Sequence, residues 1–176
     1  MKKLIRLLFL LVTLYSAVAC QSNSSNPSQA NQEKQESQLQ NSQFRLSDLE
    51  NTQHFNRNAL EHIFYGSINR KGNATGYHYE GISQMAQILP DTRSKNDKHG
   101  VYRAKVKIEG QKKKAMSTFF PKDWSPQEVV DAINEAYDMA DHVSGNIYEG
   151  ASQGITIQMY LTDDQKIISA FPIYER

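Results

Sequence analysis

Apolar and polar positions divide this chain into stretches of different texture. Residues 7–18 are an almost unbroken apolar run, residues 21–43 are almost wholly polar, and from residue 45 apolar positions return in periodic patterns. Leu46, Leu49, Phe55, Leu60, Ile63 and Phe64 recur at roughly helical spacing, interrupted across residues 51–54. This predicts one or two helices ending at Gly66. A short helix is predicted over residues 81–89, stopped by Pro90-Asp91. Residues 101–108 read V-Y-R-A-K-V-K-I, the alternation of a strand, and a second strand is predicted through residues 116–120.

Ser125-Pro126-Gln127-Glu128 is a helix start: the serine hydroxyl can accept from unpaired N–H groups, proline fits the first turn and Glu128 completes a capping box. Val129, Ile133, Ala136 and Tyr137 give the following helix one apolar face. Residues 155–161 and 166–173 then read as two strands of a hairpin turning near Asp163-Asp164. The pattern as a whole predicts an α+β fold, antiparallel sheets with flanking N-terminal and central helices.

Length and composition assign the remaining stretches. A chain of 176 residues suits one domain with something appended. Lys2, Lys3 and Arg6 ahead of the apolar run, and small residues leading into Cys20, read as an export signal over residues 1–19. Ala17-Val18-Ala19-Cys20 resembles a lipobox, which implies acylation of Cys20. Residues 20–44 are then a lipidated cysteine and a Ser/Asn/Gln-rich tether with too little apolar surface to fold, and residues 45–176 are the domain. Gln21 in place of an aspartate points to the outer membrane of a diderm bacterium as the destination. With a single cysteine, no internal disulfide or cysteine-based metal site can form.

A formal net charge of +1 gives no general argument for nucleic acid, but its distribution is uneven. Residues 93–122 are strongly basic, including Lys112-Lys113-Lys114, whereas residues 123–164 are mostly acidic. Such a patch suits a phosphate backbone; a solvated, lysine-rich turn is the alternative.

Five histidines are candidates for chemistry near neutral pH. His54, His99 and His142 stand in polar or loop surroundings and are expected to face solvent. His62 and His78 lie on short segments of different character, Glu61-His62-Ile63-Phe64-Tyr65-Gly66 and Gly76-Tyr77-His78. No H-x-x-x-H spacing supports a metal site, and no G-x-S-x-G elbow supports a serine nucleophile.

These two segments, with Gly100-Val101-Tyr102, the block Ser117-Thr118-Phe119-Phe120-Pro121-Lys122-Asp123-Trp124-Ser125, Glu135-Ala136-Tyr137 and Ser169-Ala170-Phe171-Pro172, resemble the bacterial branch of the EndoU endoribonucleases. The resemblance runs from about residue 59 to the C-terminus. It implies metal-independent or Mn²⁺-assisted cleavage of RNA, preferentially at uridylates, by 2′-OH transesterification to a 2′,3′-cyclic phosphate. The nucleophile then belongs to the substrate. One histidine serves as base, the other as acid, each worth about 10²–10⁴ in rate, and a lysine stabilises the charged phosphate.

Carried over by residue, the family histidines fall on His62 and His78, with His78 taken as base and His62 as acid. The lysine falls on Lys113 or Lys114, with Lys113 favoured. Uridine selection falls on Ser169 and Phe171, where a family tyrosine is replaced by phenylalanine; both project to one face of a strand. Glu61 is a candidate to orient His62. The implied partners are RNA, the membrane through the lipid on Cys20 and, if the chain is a toxin, an immunity protein; RNA scavenging is the rival role. A catalytically weak RNA- or protein-binding module is the alternative function.

Overall fold

The computed structural model describes residues 44–176, so the export signal, Cys20 and nearly all of the tether lie outside the described residues. After a 3₁₀ turn over Leu46–Asp48 comes helix α1, Ala59–Phe64. Gly66, at φ +74°, ends it where a left-handed residue is needed, and its N–H donates to the Glu61 and His62 carbonyls. A hairpin of β1 (Ser67–Ile68) and β2 (Ala74–Thr75) follows.

The helix expected over residues 81–89 does not form. Its last residues are instead strand β3, Ala86–Ile88, because they pair antiparallel with residues 106–108. The strand expected over residues 101–108 is divided at Lys105 into β4 (Tyr102–Ala104) and β5 (Val106–Ile108). β4 pairs with β7 (Ser117–Phe119), whereas β5 pairs with β3 and β6 (Gln111–Lys112). Alternation alone could not reveal the break, since both halves keep the same inward phase.

Helix α2, Pro126–Asp138, starts with the full capping box at Ser125 and Glu128. Two strands that the hydrophobic pattern did not mark come next, β8 (Asp141–Ser144) and β9 (Ile147–Ser152), and then β10 (Ile155–Leu161) and β11 (Ile167–Pro172). They form an antiparallel sheet in the order β11-β10-β9-β8. β8 is exposed along its length, and β9 buries fully only Ser152, so neither shows the alternation of a half-buried strand.

Two apolar cores hold these elements. In the larger, Ile63 and Phe64 of α1 and Val129, Ile133 and Ala136 of α2 pack on Ile155, Ile157 and Met159 of β10. The smaller gathers Tyr77, Tyr102, Val106, Ile108 and Phe119. Phe120 and Trp124 join the larger core beside α2, but Phe119 belongs to the smaller one, where its ring stacks on Tyr102 at 4.9 Å.

One irregularity in the large sheet shapes the site. Tyr160 pairs with Ser169 and Leu161 with Ile167, which leaves Ile168 as the extra residue of a bulge. The bulge reverses the phase of β11. Ile167 and Ala170 both enter the core, Ser169 and Phe171 take the opposite face with Tyr160, and Ile168 is turned outward at 41% exposure.

Candidate active site

The open face of the large sheet, the end of α1 and the lysine-bearing turn after β6 enclose a cavity of about 500 Å³. His62, His78, Lys113, Tyr160, Ser169 and Phe171 line it. Five of the six predicted site residues therefore converge; Lys114 is exposed and does not line this cavity. The reason is local. β6 ends at Lys112, so Lys113 and Lys114 follow the strand and are sorted by a turn, not by strand alternation.

Backbone bonds fix the two histidines relative to each other. The Tyr77 N–H donates to the His62 carbonyl at 2.9 Å, and the His78 N–H to the Ile63 carbonyl at 2.7 Å. Residues 76 and 77 are both left-handed, at φ +76° and +64°. Glycine is required at 76 for a second reason: a Cβ there would lie 2.1 Å from the His62 carbonyl oxygen. Tyr77, with a strained backbone, is held by burial and by its edge-on contact with Phe119, ring centroids 5.3 Å apart. The imidazole centroids of His62 and His78 are then 6.4 Å apart.

His78 is 5% exposed, and its Nδ1 lies 2.8 Å from the Thr118 carbonyl oxygen. A carbonyl only accepts, so Nδ1 carries the proton, and in the neutral ring Nε2 holds a lone pair. Burial, then the charge of Lys113, hold His78 well below the ordinary histidine pKa. The same two causes, in the same order, lower His62 to about 4. The His62 Nδ1 lies 3.5 Å from the Ser67 hydroxyl, whereas no hydrogen bond joins Glu61 to His62 among the described residues.

The Lys113 ammonium donates to the Gly76 carbonyl at 2.9 Å and to the Ser117 hydroxyl at 2.8 Å. Burial lowers its pKa to about 8, which still leaves it mainly charged at neutrality. Phe171 lays one ring face on His78, centroids 5.0 Å apart and planes 21° apart. Tyr160, opposite Ser169 in register, adds a phenol to the cavity. The Thr118 and Gly76 carbonyls were illegible in the sequence, because a backbone acceptor leaves no residue-type signal.

The other candidates sit elsewhere. His142 is exposed, but His54 and His99 are half-buried, contrary to the solvent-facing expectation: His54 packs on the Tyr137 ring at 4.5 Å, and His99 lies against Gly154. The basic stretch is thinned by local pairing. Arg93 bonds Glu80 and covers the Tyr102 ring, and Lys98 bonds Glu175. Among the described residues no group of three or more His, Cys, Asp or Glu side chains is arranged to hold a metal. The cavity offers two imidazoles but no carboxylate, a poor donor set for Mn²⁺, which prefers oxygen ligands.

An α+β scaffold that sets a pair of imidazoles beside an ammonium, in an open cleft, is the kind of site a nuclease needs. The chain belongs to the bacterial EndoU nuclease family, whose model matches residues 56–174. It is also 46% identical over 132 residues to a Bacillus cereus protein named "Toxin", covering 72% of this chain. The matched region is 24% of that relative, so the chain spans about a quarter of its length. No solved structure matches the chain.

Proposed function

We propose that this chain is an endoribonuclease that cleaves RNA, preferentially at uridylates, through attack of a ribose 2′-OH on the adjacent phosphorus, leaving a 2′,3′-cyclic phosphate. The observation that carries this reading is the meeting of His62, His78 and Lys113 in one cavity with Ser169 and Phe171. The Nε2 lone pair of His78 takes the 2′-OH proton, and His62 in its imidazolium form delivers a proton to the departing 5′-oxygen. As the phosphorus becomes five-coordinate, its oxygens gain negative charge, which Lys113 stabilises from a desolvated position. Ser169 offers a hydroxyl to the pyrimidine edge beside Phe171.

The test is cleavage of a uridine-containing oligonucleotide, with product identified as cyclic phosphate by mass. His62→Ala or His78→Ala should each reduce kcat by about 10²–10⁴. RNA left intact with and without Mn²⁺ overturns the reading. Retained RNA binding without a cyclic product would assign the cleft to a binding module instead. The relative named "Toxin" and the export signal suit a nuclease toxin with an immunity partner, held by a lipid on Cys20 at the outer membrane. Growth arrest on expression inside a bacterium, relieved by His78→Ala, would support the toxin role over scavenging.

A further inference from the structure

A second cavity, of about 480 Å³, adjoins the first at His62. His62 and Ile168 line both, so the two form neighbouring compartments with the imidazole between them. We propose that this second compartment seats the nucleotide on the leaving-group side of the scissile phosphate, the one that departs with the 5′-oxygen. The inference rests on the endoribonuclease reading and adds a strand polarity and a set of binding residues to it.

Three observations carry it. The first is position. If His78 takes the 2′-OH proton and His62 protonates the 5′-oxygen, the departing ribose leaves past His62, and this compartment is lined by His62 but not by His78. The second is chemistry. The walls bring together Asn56, Asn58, Asn69, Arg70 and Glu61, side chains that suit base edges and phosphate, whereas the first compartment presents Phe171, Tyr160 and Met116. Arg70 is exposed, and no ion pair engages it among the described residues, so its guanidinium is available to the next phosphate along the strand. Glu61 repels phosphate and accepts from a base N–H, which places the base on the α1 wall and the phosphate on the hairpin wall.

The third is construction. The Asn56 N–H donates to the Ile167 carbonyl at 2.8 Å, which fixes that wall to β11 directly before the bulge. Asn69 Oδ1 accepts from the Lys71 and Asn73 N–H groups, both at 3.0 Å, an Asx turn that makes the tip of the β1–β2 hairpin rigid and sets Arg70 beside the compartment. Asn58 precedes α1 without a side-chain capping bond, so its amide is not spent on the helix. The outward-turned Ile168 gives the two compartments a shared apolar wall.

The experiment measures kcat/KM for the full chain on three substrates: a uridine 3′-methyl phosphate, whose alkoxide leaving group matches a 5′-oxygen, the same uridine extended by two downstream nucleotides in place of the methyl, and the methyl ester extended by two upstream nucleotides. The wild-type chain should gain at least about tenfold from downstream extension, and Arg70→Ala and Asn58→Ala should each lose at least two thirds of that gain. Arg70→Lys should recover part of it. Circular dichroism of each variant verifies folding, and Asn69 is left intact because its turn is structural. Variants that keep the wild-type downstream gain overturn the inference. So does loss of the upstream gain in its place, which would reverse the strand polarity. A wild-type chain that cleaves none of the three substrates overturns the endoribonuclease reading itself, an outcome distinct from cleavage without discrimination.

Discussion

At the scale of single residues, the two histidines and Lys113 are tuned by one environment in the same direction. Burial and the ammonium keep both imidazoles neutral near pH 7, while the proposed reaction needs one of them protonated. A bound phosphodiester opposes the field of Lys113 and favours the imidazolium, so binding should take up a proton. Because kcat/KM reports the free protein, it should rise as pH falls from 7 toward 5, with the pair titrating below the usual histidine range. A pH–rate profile with its optimum above 7 would contradict this. Lys113 itself carries a stability cost, since its lowered pKa means that folding disfavours its charge. Lys113→Met should raise thermal stability by about 1–2 kcal/mol, because Ser117 still donates to the Gly76 carbonyl, while abolishing cleavage. Lys114→Ala, on the exposed neighbour, should change the rate by no more than about twofold.

At the scale of elements, close backbone approach explains more than side-chain type. Gly76→Ala forces a Cβ onto the His62 carbonyl in a left-handed residue and should cost at least about 2 kcal/mol along with the alignment of the imidazoles. Gly150→Ala meets the Ala136 carbonyl, where α2 lies directly on β9, and should lower stability by a comparable amount with the cleft residues untouched. Thermal denaturation of both variants, with activity measured well below their midpoints, separates the two effects. Legibility followed the same division. The capping box at Ser125 and the β10–β11 hairpin were plain in the sequence because local propensity and tertiary need agree there. Strand β3 was misread as helix because residues 81–89 are short, and their partner, β5, decides their state. Strands β8 and β9 bury too little to carry a period, and the bulge at Ile168 is a register event with no compositional mark. The resemblance brought His62, His78, Ser169 and Phe171 together and favoured Lys113; the end of β6 shows why Lys114 stands apart from the cavity.

At the scale of the whole molecule, the cleft lies along the seam between the two cores: α1 and β11 deliver His62, Ser169 and Phe171 from the larger, and Tyr77 and Ser117 tie His78 and Lys113 to the smaller. Seam and acid stability are linked. The unfolded chain takes up protons at its histidines near pH 6.5, whereas folded His62 resists until about 4. Stability is therefore present above pH 6.5 and declines as pH falls through that window, by an amount on the order of 2 kcal/mol. Urea midpoints measured at pH 7, 5.5 and 4.5 should decrease in that order, and less steeply in His62→Ala. The hairpin between the histidines has a separate consequence, one of evolvability. Its ends are tied by the Tyr77–His62 and His78–Ile63 backbone bonds, so residues 68–73 can be exchanged or lengthened without moving either imidazole. The segment is a cassette inserted into the site, and, on the proposed endoribonuclease reading, grafting hairpin tips of different charge should change which substrates are cut while the cutting chemistry stays the same.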